Sequence, residues 1–481
     1  MRGAGAGDGG RGSAVGEVAL IAAMLVAAHP VAVLVAALGL LGFLGLAALV
    51  DPAWLLASPL MVVAFGLADR VMRRAELPGR AVHPDAEPAL AALVRDAAEQ
   101  LGVQAPLLIR VVPTPDAAMV TTTVAGARTL VLILGRPFLR VLTEPQLAAV
   151  VAHELAHGRH ADDRRSSWLV AARDDLAEAT EHRVRVPAAL ADRLLRASQA
   201  RCWALELAAD ADAARVAGRG PARAALERSG PIEVVFDALA ERWITVLLRD
   251  GAYPEDLYDA LAAACDDPVI ARRAAAVTAA DERVDALASH PPLTRRLAAL
   301  PVPREAAAGA PHPVVLRDPA AIDRWCALDL AGPGGERLRP GRILDTPPEW
   351  FDLPVAEARE ALMDATGTAS AAAAVAATAD AVAAGRWPEL AMAIDAEIEE
   401  VPARFRPLAE RDLLIGVADR PLAALLLDAG LPRASRWVAS AVVLPDGSVA
   451  DVSQILEDAL ATRDVAPVLA LLDAVAARAD R

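Results

Sequence analysis

Apolar positions fill the start of the chain in one block and only later settle into periodic patterns. From Val18 to Ala68 the only ionisable side chains are His29 and Asp51. A stretch of that length is about 75 Å of helix, enough for two crossings of a hydrocarbon core about 30 Å thick. His29-Pro30, the run from Gly39 to Gly45, and Asp51-Pro52 are three sites where it can turn. A cleavable signal peptide does not account for the block, because its apolar core runs to only about 15 residues. Beyond it, residues 84–102 carry apolar positions at helical spacing, ended by Gly102, and "PLLIRVV" at 106–112 reads as a strand. "AMVTTTVAGARTLVLIL" at 118–134 reads as two β-rich runs folded about Ala125-Gly126-Ala127. Thr143 then opens a helix as N-cap, with Gln146 as its capping-box partner and Pro145 tolerated in the first turn. After residue 165 the pattern is helical nearly throughout, including a capped helix over 198–218 that stops at Gly218.

The predicted fold class is mainly α: N-terminal transmembrane helices, an α+β domain with a small sheet, then an α-helical region. The expected segments are a tail over 1–17, a membrane anchor of two helices over 18–75, the α+β domain over 76–300, a proline-rich linker over 301–315, and helices over 316–481. Arg2 and Arg11 precede the apolar block, and Arg70, Arg73, Arg74 and Arg80 follow it. The positive-inside bias draws both flanks to the cytoplasmic side, which an even number of spans satisfies. A multi-pass protein of the cell membrane with its later domains in the cytoplasm is therefore expected.

Charge and cysteine usage narrow the chemistry. The net charge is -15, all 48 basic residues are arginine, and no long arginine run tracks a phosphate backbone, so nucleic acid is excluded as the expected partner. Cys202, Cys265 and Cys326 are widely spaced and form no CxxC pair, which reads as structural thiols rather than a disulfide framework or a thiolate zinc knuckle.

The chemistry gathers at "VVAHELAHGRHADD", residues 150–163. Four residues of helix turn through about 400°, so His153 and His157 share a face and both imidazoles can reach one ion, with Glu154 beside them. HExxH is the zinc-peptidase arrangement in which the histidines ligate the metal and the glutamate serves as general base. A catalytic zinc needs a third protein ligand and an open position. The long form HExxHxxGxxH needs glycine at 160 and histidine at 163, where this chain has His160 and Asp163. A glutamate on a later helix is the alternative, and "ELAAD" supplies Glu206, with Asp210 one turn beyond to accept a hydrogen bond from a ligand histidine. His160 reads as a solvated histidine, Asp212 as an exposed helix carboxylate, and the arginines of "DRRSSW" and "EHRVRV" as a hydrated face.

"HELAHGRHAD", "ELAADADAARVAG" and "SHPPLTRRLAAL" at 289–300, in this order, resemble the HtpX-like membrane zinc endopeptidases, the family that also contains the CAAX prenyl protease. The resemblance covers roughly residues 84–300. It implies one Zn2+ per chain held by His153, His157 and Glu206, Glu154 as catalytic base, and Asp210 behind a ligand histidine. It further implies that Asp162 helps position the metal-binding helix, and that His290 and Arg296 stand close to the active site, with His290 donating to the developing oxyanion. Two departures bear on specificity and insertion: "DAAM" at 116–119 replaces the asparagine-alanine-aromatic of many relatives, and no hydrophobic helices follow HExxH.

The expected function is membrane-anchored zinc endopeptidase, acting on polypeptide substrates in membrane protein quality control, with the lipid bilayer as the other partner. An extended substrate is expected to lie along a sheet edge, the strand Val120 to Val124. Two rivals remain open on sequence: a regulated sensor-transducer peptidase, and a zinc-holding scaffold whose helical C-terminal region binds a protein partner.

Overall fold

The computed structural model describes residues 9–28, 41, 77–124, 126–160, 164–181, 187–280, 288–300, 312–348, 355–403 and 405–479. Contacts divide the chain into two units, the first of residues 1–229 and 280–319, the second of residues 230–279 and 320–481.

The first unit carries α1 (Gly9–Ala28), β1 (Arg80–Val82), α2 (Pro88–Leu101), β2 (Leu107–Val112), β3 (Ala117–Val124), β4 (Ala127–Gly135), α3 (Arg136–Val141), α4 (Glu144–His160), α5 (Arg164–Glu181), α6 (Ala188–Ala217) and the start of α7 (Arg219–Leu239). Its sheet has the order β1-β2-β4-β3, with β2 and β4 parallel and the outer pairs antiparallel. The expected hairpin is β3–β4, where Val124 pairs with Ala127 and Gly126 takes a φ of +82°, a left-handed conformation that glycine adopts without strain. Leu130 to Leu134 are buried on both faces of β4, which explains the unbroken apolar run there. β3 is an edge strand, and Thr121, Thr123 and Val124 are exposed on it. β1, three residues long, carries no periodicity to predict it.

Both helices flanking the sheet end or begin as their capping residues require. Gly102 closes α2 at φ +70°, its amide donating to the Glu99 carbonyl. At the start of α4 the Thr143 amide donates to Gln146 Oε1 at 3.0 Å, one half of the capping box. α2 starts at Pro88 rather than at 84, because residues 83–87 form a turn on the His83 carbonyl. α6 starts at Ala188, well before the expected Ser198, which instead lies buried within the helix and donates from Oγ to the Leu195 carbonyl at 2.8 Å.

Of the expected membrane anchor, residues 18–28 belong to α1, while 29–75, apart from 41, lie outside the described residues. α1 buries Ile21, Met24 and Ala28 against Leu169, Ala172 and Leu176 of α5 and Ala191 and Leu195 of α6. Among the described residues no helix is long and apolar enough to cross a membrane.

α7 passes through a π-turn over Ala240–Ile244 into α8 (Thr245–Arg249), followed in the second unit by β5 (Ala252–Pro254), α9 (Leu257–Cys265) and α10 (Pro268–Ala280). α11 (Leu293–Ala299) belongs to the first unit. The second unit resumes with α12 (Pro319–Leu330), β6 (Arg339–Gly341), α13 (Val355–Thr366), α14 (Ala371–Ala383), α15 (Trp387–Ile394), α16 (Arg406–Asp428), β7 (Ala441–Val443), β8 (Val449–Asp451), α17 (Val452–Thr462) and α18 (Ala466–Ala479). Its helical core is built on Leu362, Val375, Leu414, Leu422, Leu426 and Leu456. Three pairings bring residues 230–279 into it: β5 runs parallel to β6, the buried Asp256 accepts from the Ile343 and Leu344 amides at 2.7 and 3.0 Å, and Arg273 binds Asp451. One break falls between 319 and 320, just beyond the proline-rich stretch, of which 301–311 lie outside the described residues, and the other two set 230–279 apart from the rest of the expected α+β domain.

Candidate active site

Three segments of the first unit converge. α4 presents His153, Glu154 and His157, α6 presents Glu206 and Asp210, and residues 288–300 bring His290 and Arg296. The two helices pack directly on each other. One turn of α4 separates the two imidazoles, whose Nε2 atoms lie 3.0 Å apart. Glu206 reaches both: its Oε1 is 3.2 Å from His157 Nε2 and its Oε2 is 3.5 Å from His153 Nε2. The opposite nitrogen of His153, Nδ1, lies 3.1 Å from Asp210 Oδ1. Arg296 grips that same carboxylate with Nε at 2.8 Å and Nη2 at 2.6 Å. His290 stands at the edge, its Nδ1 2.6 Å from Glu206 Oε2.

The electrostatics follow from this packing. Burial pushes the Glu154 carboxyl above its ordinary value, opposed by the charges of His153 and His157. Burial acts to lower the His153 pKa, but Asp210 and Glu206 overcome it and raise the imidazole to about 9. For Glu206, burial acts upwards and the contacts from His153, His157 and His290 prevail, holding the carboxyl far below the usual range. Asp210 is likewise lowered, burial being outweighed by Arg296 and His153.

The donor set fits zinc. His153, His157 and Glu206 offer one ligand atom each within 4.8 Å of one another. A tetrahedral ion with bonds of about 2.0–2.1 Å separates its ligands by roughly 3.3 Å, and the three distances above bracket that value. Two Nε2 atoms facing each other at 3.0 Å can share only one proton, whereas a cation satisfies both lone pairs.

Residues 84–303 match the model of peptidase family M48. The M48 match supports a metallopeptidase, and every residue of the cluster lies inside it. No curated protein and no solved structure matches the chain. Within residues 84–303, Gly158 follows His157 and lets α4 approach the sheet: a Cβ there would stand 2.9 Å from Met119 Cγ and 3.4 Å from Leu130 Cδ1. The edge strand β3 is thereby held against α4.

The structure brings together His153, His157, Glu206, Asp210, His290, Arg296 and, beside the histidines, Glu154. Asp162 lies outside the described residues, as does the side chain of His160. Asp212 is not an exposed carboxylate: its side chain is 14% exposed and binds Arg159 of α4 and Arg215 of its own helix. The cross-helix partner, Arg159, sits two residues past His157, so this pairing helps to lock α6 onto α4. Sequence spacing shows the Asp212–Arg215 pair and gives no sign of the Arg159 one. The contact of Arg295 with the Trp203 ring, 5.1 Å to its centroid, has no local signal either.

Proposed function

We propose that residues 84–303 form a zinc-dependent endopeptidase whose metal is held by His153, His157 and Glu206. The observation that carries the reading is the convergence of these three donors beside Glu154, on a segment that matches family M48. Zinc, when bound, supplies a Lewis acid and an acidified water. Glu154, with its raised pKa, takes a proton from the attacking water as the oxygen adds to the scissile carbonyl carbon, then delivers it to the amine nitrogen as the C–N bond breaks. Asp210 and Arg296 keep the His153 ring oriented. The exposed edge of β3 offers main-chain groups to an extended polypeptide, a mode with broad side-chain tolerance. His290, whose ring lies beside Glu206, donates to the developing oxyanion in this reading.

The apolar block from Val18 to Ala68 supports a membrane anchor for this peptidase, with arginines on both flanks favouring a cytoplasmic catalytic unit, and so a role in turning over membrane or misfolded proteins. Zinc content and casein cleavage by the full chain test the enzymatic reading. Wild type is expected to hold one zinc and cleave, Glu154→Gln to keep zinc and lose about 10²–10⁴ in kcat, and Glu206→Ala to lose zinc. Wild type without zinc, or Glu154→Gln with full activity, would refute it.

A further inference from the structure

Arg173 is 2% exposed, in the middle of α5, on the stripe that also buries Leu169, Ala172 and Leu176. A guanidinium in such surroundings is costly unless its donors are satisfied. Its Nη1 donates to the Leu195 carbonyl at 2.6 Å and to Ser198 Oγ at 2.9 Å, and its Nη2 donates to the Ala288 carbonyl at 3.0 Å. One planar group thus ties together α5, the helix that carries Glu206 and Asp210, and the backbone two residues ahead of His290.

The segment from 288 to 300 is held at both ends. Its far half is fixed by Arg296 on Asp210, by Arg295 over Trp203, and by Arg223 of α7, which donates to the Leu297 and Leu300 carbonyls at 3.1 and 3.4 Å. The near half is held at Ala288 by Arg173 and at His290 by Glu206. The His290 side chain is 58% exposed, so apart from its contact with Glu206 its backbone anchor sets where the ring stands.

The geometry points to Arg173 as a positioning residue that sets His290 against Glu206 by clamping the Ala288 carbonyl to α6, a role whose kinetic consequence rests on the peptidase reading above. The bonds to the Leu195 carbonyl, Ser198 and the Ala288 carbonyl run to α6 and to the turn ahead of His290, so Arg173 acts through that turn. Neither a glutamine, which lacks the charge and the second arm, nor a lysine, whose three N–H donors share one nitrogen, can bridge α6 and the turn as the guanidinium does.

The test uses the full chain with Arg173→Gln, Arg173→Lys, His290→Ala and the Arg173→Gln/His290→Ala double variant. Zinc content, hydrogen–deuterium exchange over residues 288–300, and kcat/KM on a peptide are measured for each. Arg173→Gln is expected to keep its zinc, to exchange faster over 288–300, and to lose about tenfold in kcat/KM. Arg173→Lys should lie between it and wild type. In the His290→Ala background the same substitution should cost nothing further, because both changes remove one effect. Unchanged exchange in the Gln and Lys variants overturns the proposal, and so do losses that multiply in the double variant. Should Arg173→Gln fail to fold, the lysine variant decides by its exchange alone. A wild type that holds no zinc and cleaves nothing refutes the peptidase reading, while exchange over 288–300 still judges the clamp.

Discussion

At the scale of single residues, the site couples metal binding to proton binding. In the metal-free protein His153 is raised to about 9 from a reference of 6.5, because Asp210 and Glu206 outweigh the effect of burial. A group with a raised folded pKa stabilises the fold fully below its unfolded value, and that contribution is lost as pH rises through the folded one. Metal-free protein should therefore lose melting temperature between pH 6.5 and about 9, while zinc, which needs the imidazole deprotonated, should bind more tightly across the same window. Thermal melts with and without zinc check this, and a metal-free profile that stays flat there would contradict it. Asp210→Asn removes the charge that faces His153 Nδ1 and partners Arg296. It should weaken zinc affinity by about 10–100-fold with secondary structure intact, as read by chelator competition and circular dichroism.

At the scale of elements, the close approach of α4 to β3 depends on Gly158. Any side chain there meets Met119 and Leu130, and a β-branched one has little rotamer freedom to escape. Gly158→Val should cost about 1–3 kcal/mol by overpacking, read as a lower denaturation midpoint. The sheet edge should shift with it, so KM for an extended peptide is expected to rise. The α4 helix, its cap and the β3–β4 hairpin were legible in the sequence because each rests on contacts a few residues apart: Gln146 reaching the Thr143 amide, and Val124 opposite Ala127 across Gly126. The start of α6 was not, because Ser198 looks like a helix cap until its hydroxyl is seen bonded to Leu195 and Arg173 inside the core. Arg173 itself stands in the apolar stripe of α5, a charge at a core position being the one local hint of a special role.

At the scale of the whole molecule, the grouped donors found among the described residues, His153, His157 and Glu206, all lie in the first unit. Ligand binding stabilises only the structure that binds. Chelation should then lower the calorimetric transition of the first unit and leave that of the second in place. A shift of both by equal amounts would show that they unfold as one. The sequence by itself determined the helical face that unites His153 with His157, the expectation of Glu206 as third donor, the hairpin and the mainly α class, since helical and strand periodicities are properties of neighbouring residues. Only the tertiary structure decided that Arg296 grips Asp210, that His290 stands on Glu206, that Asp212 binds Arg159, and that residues 230–279 join the C-terminal helices. Those contacts join segments far apart in the chain, and their partners are chosen by which buried charges and carbonyls must be satisfied once the helices pack, a condition that no local pattern records.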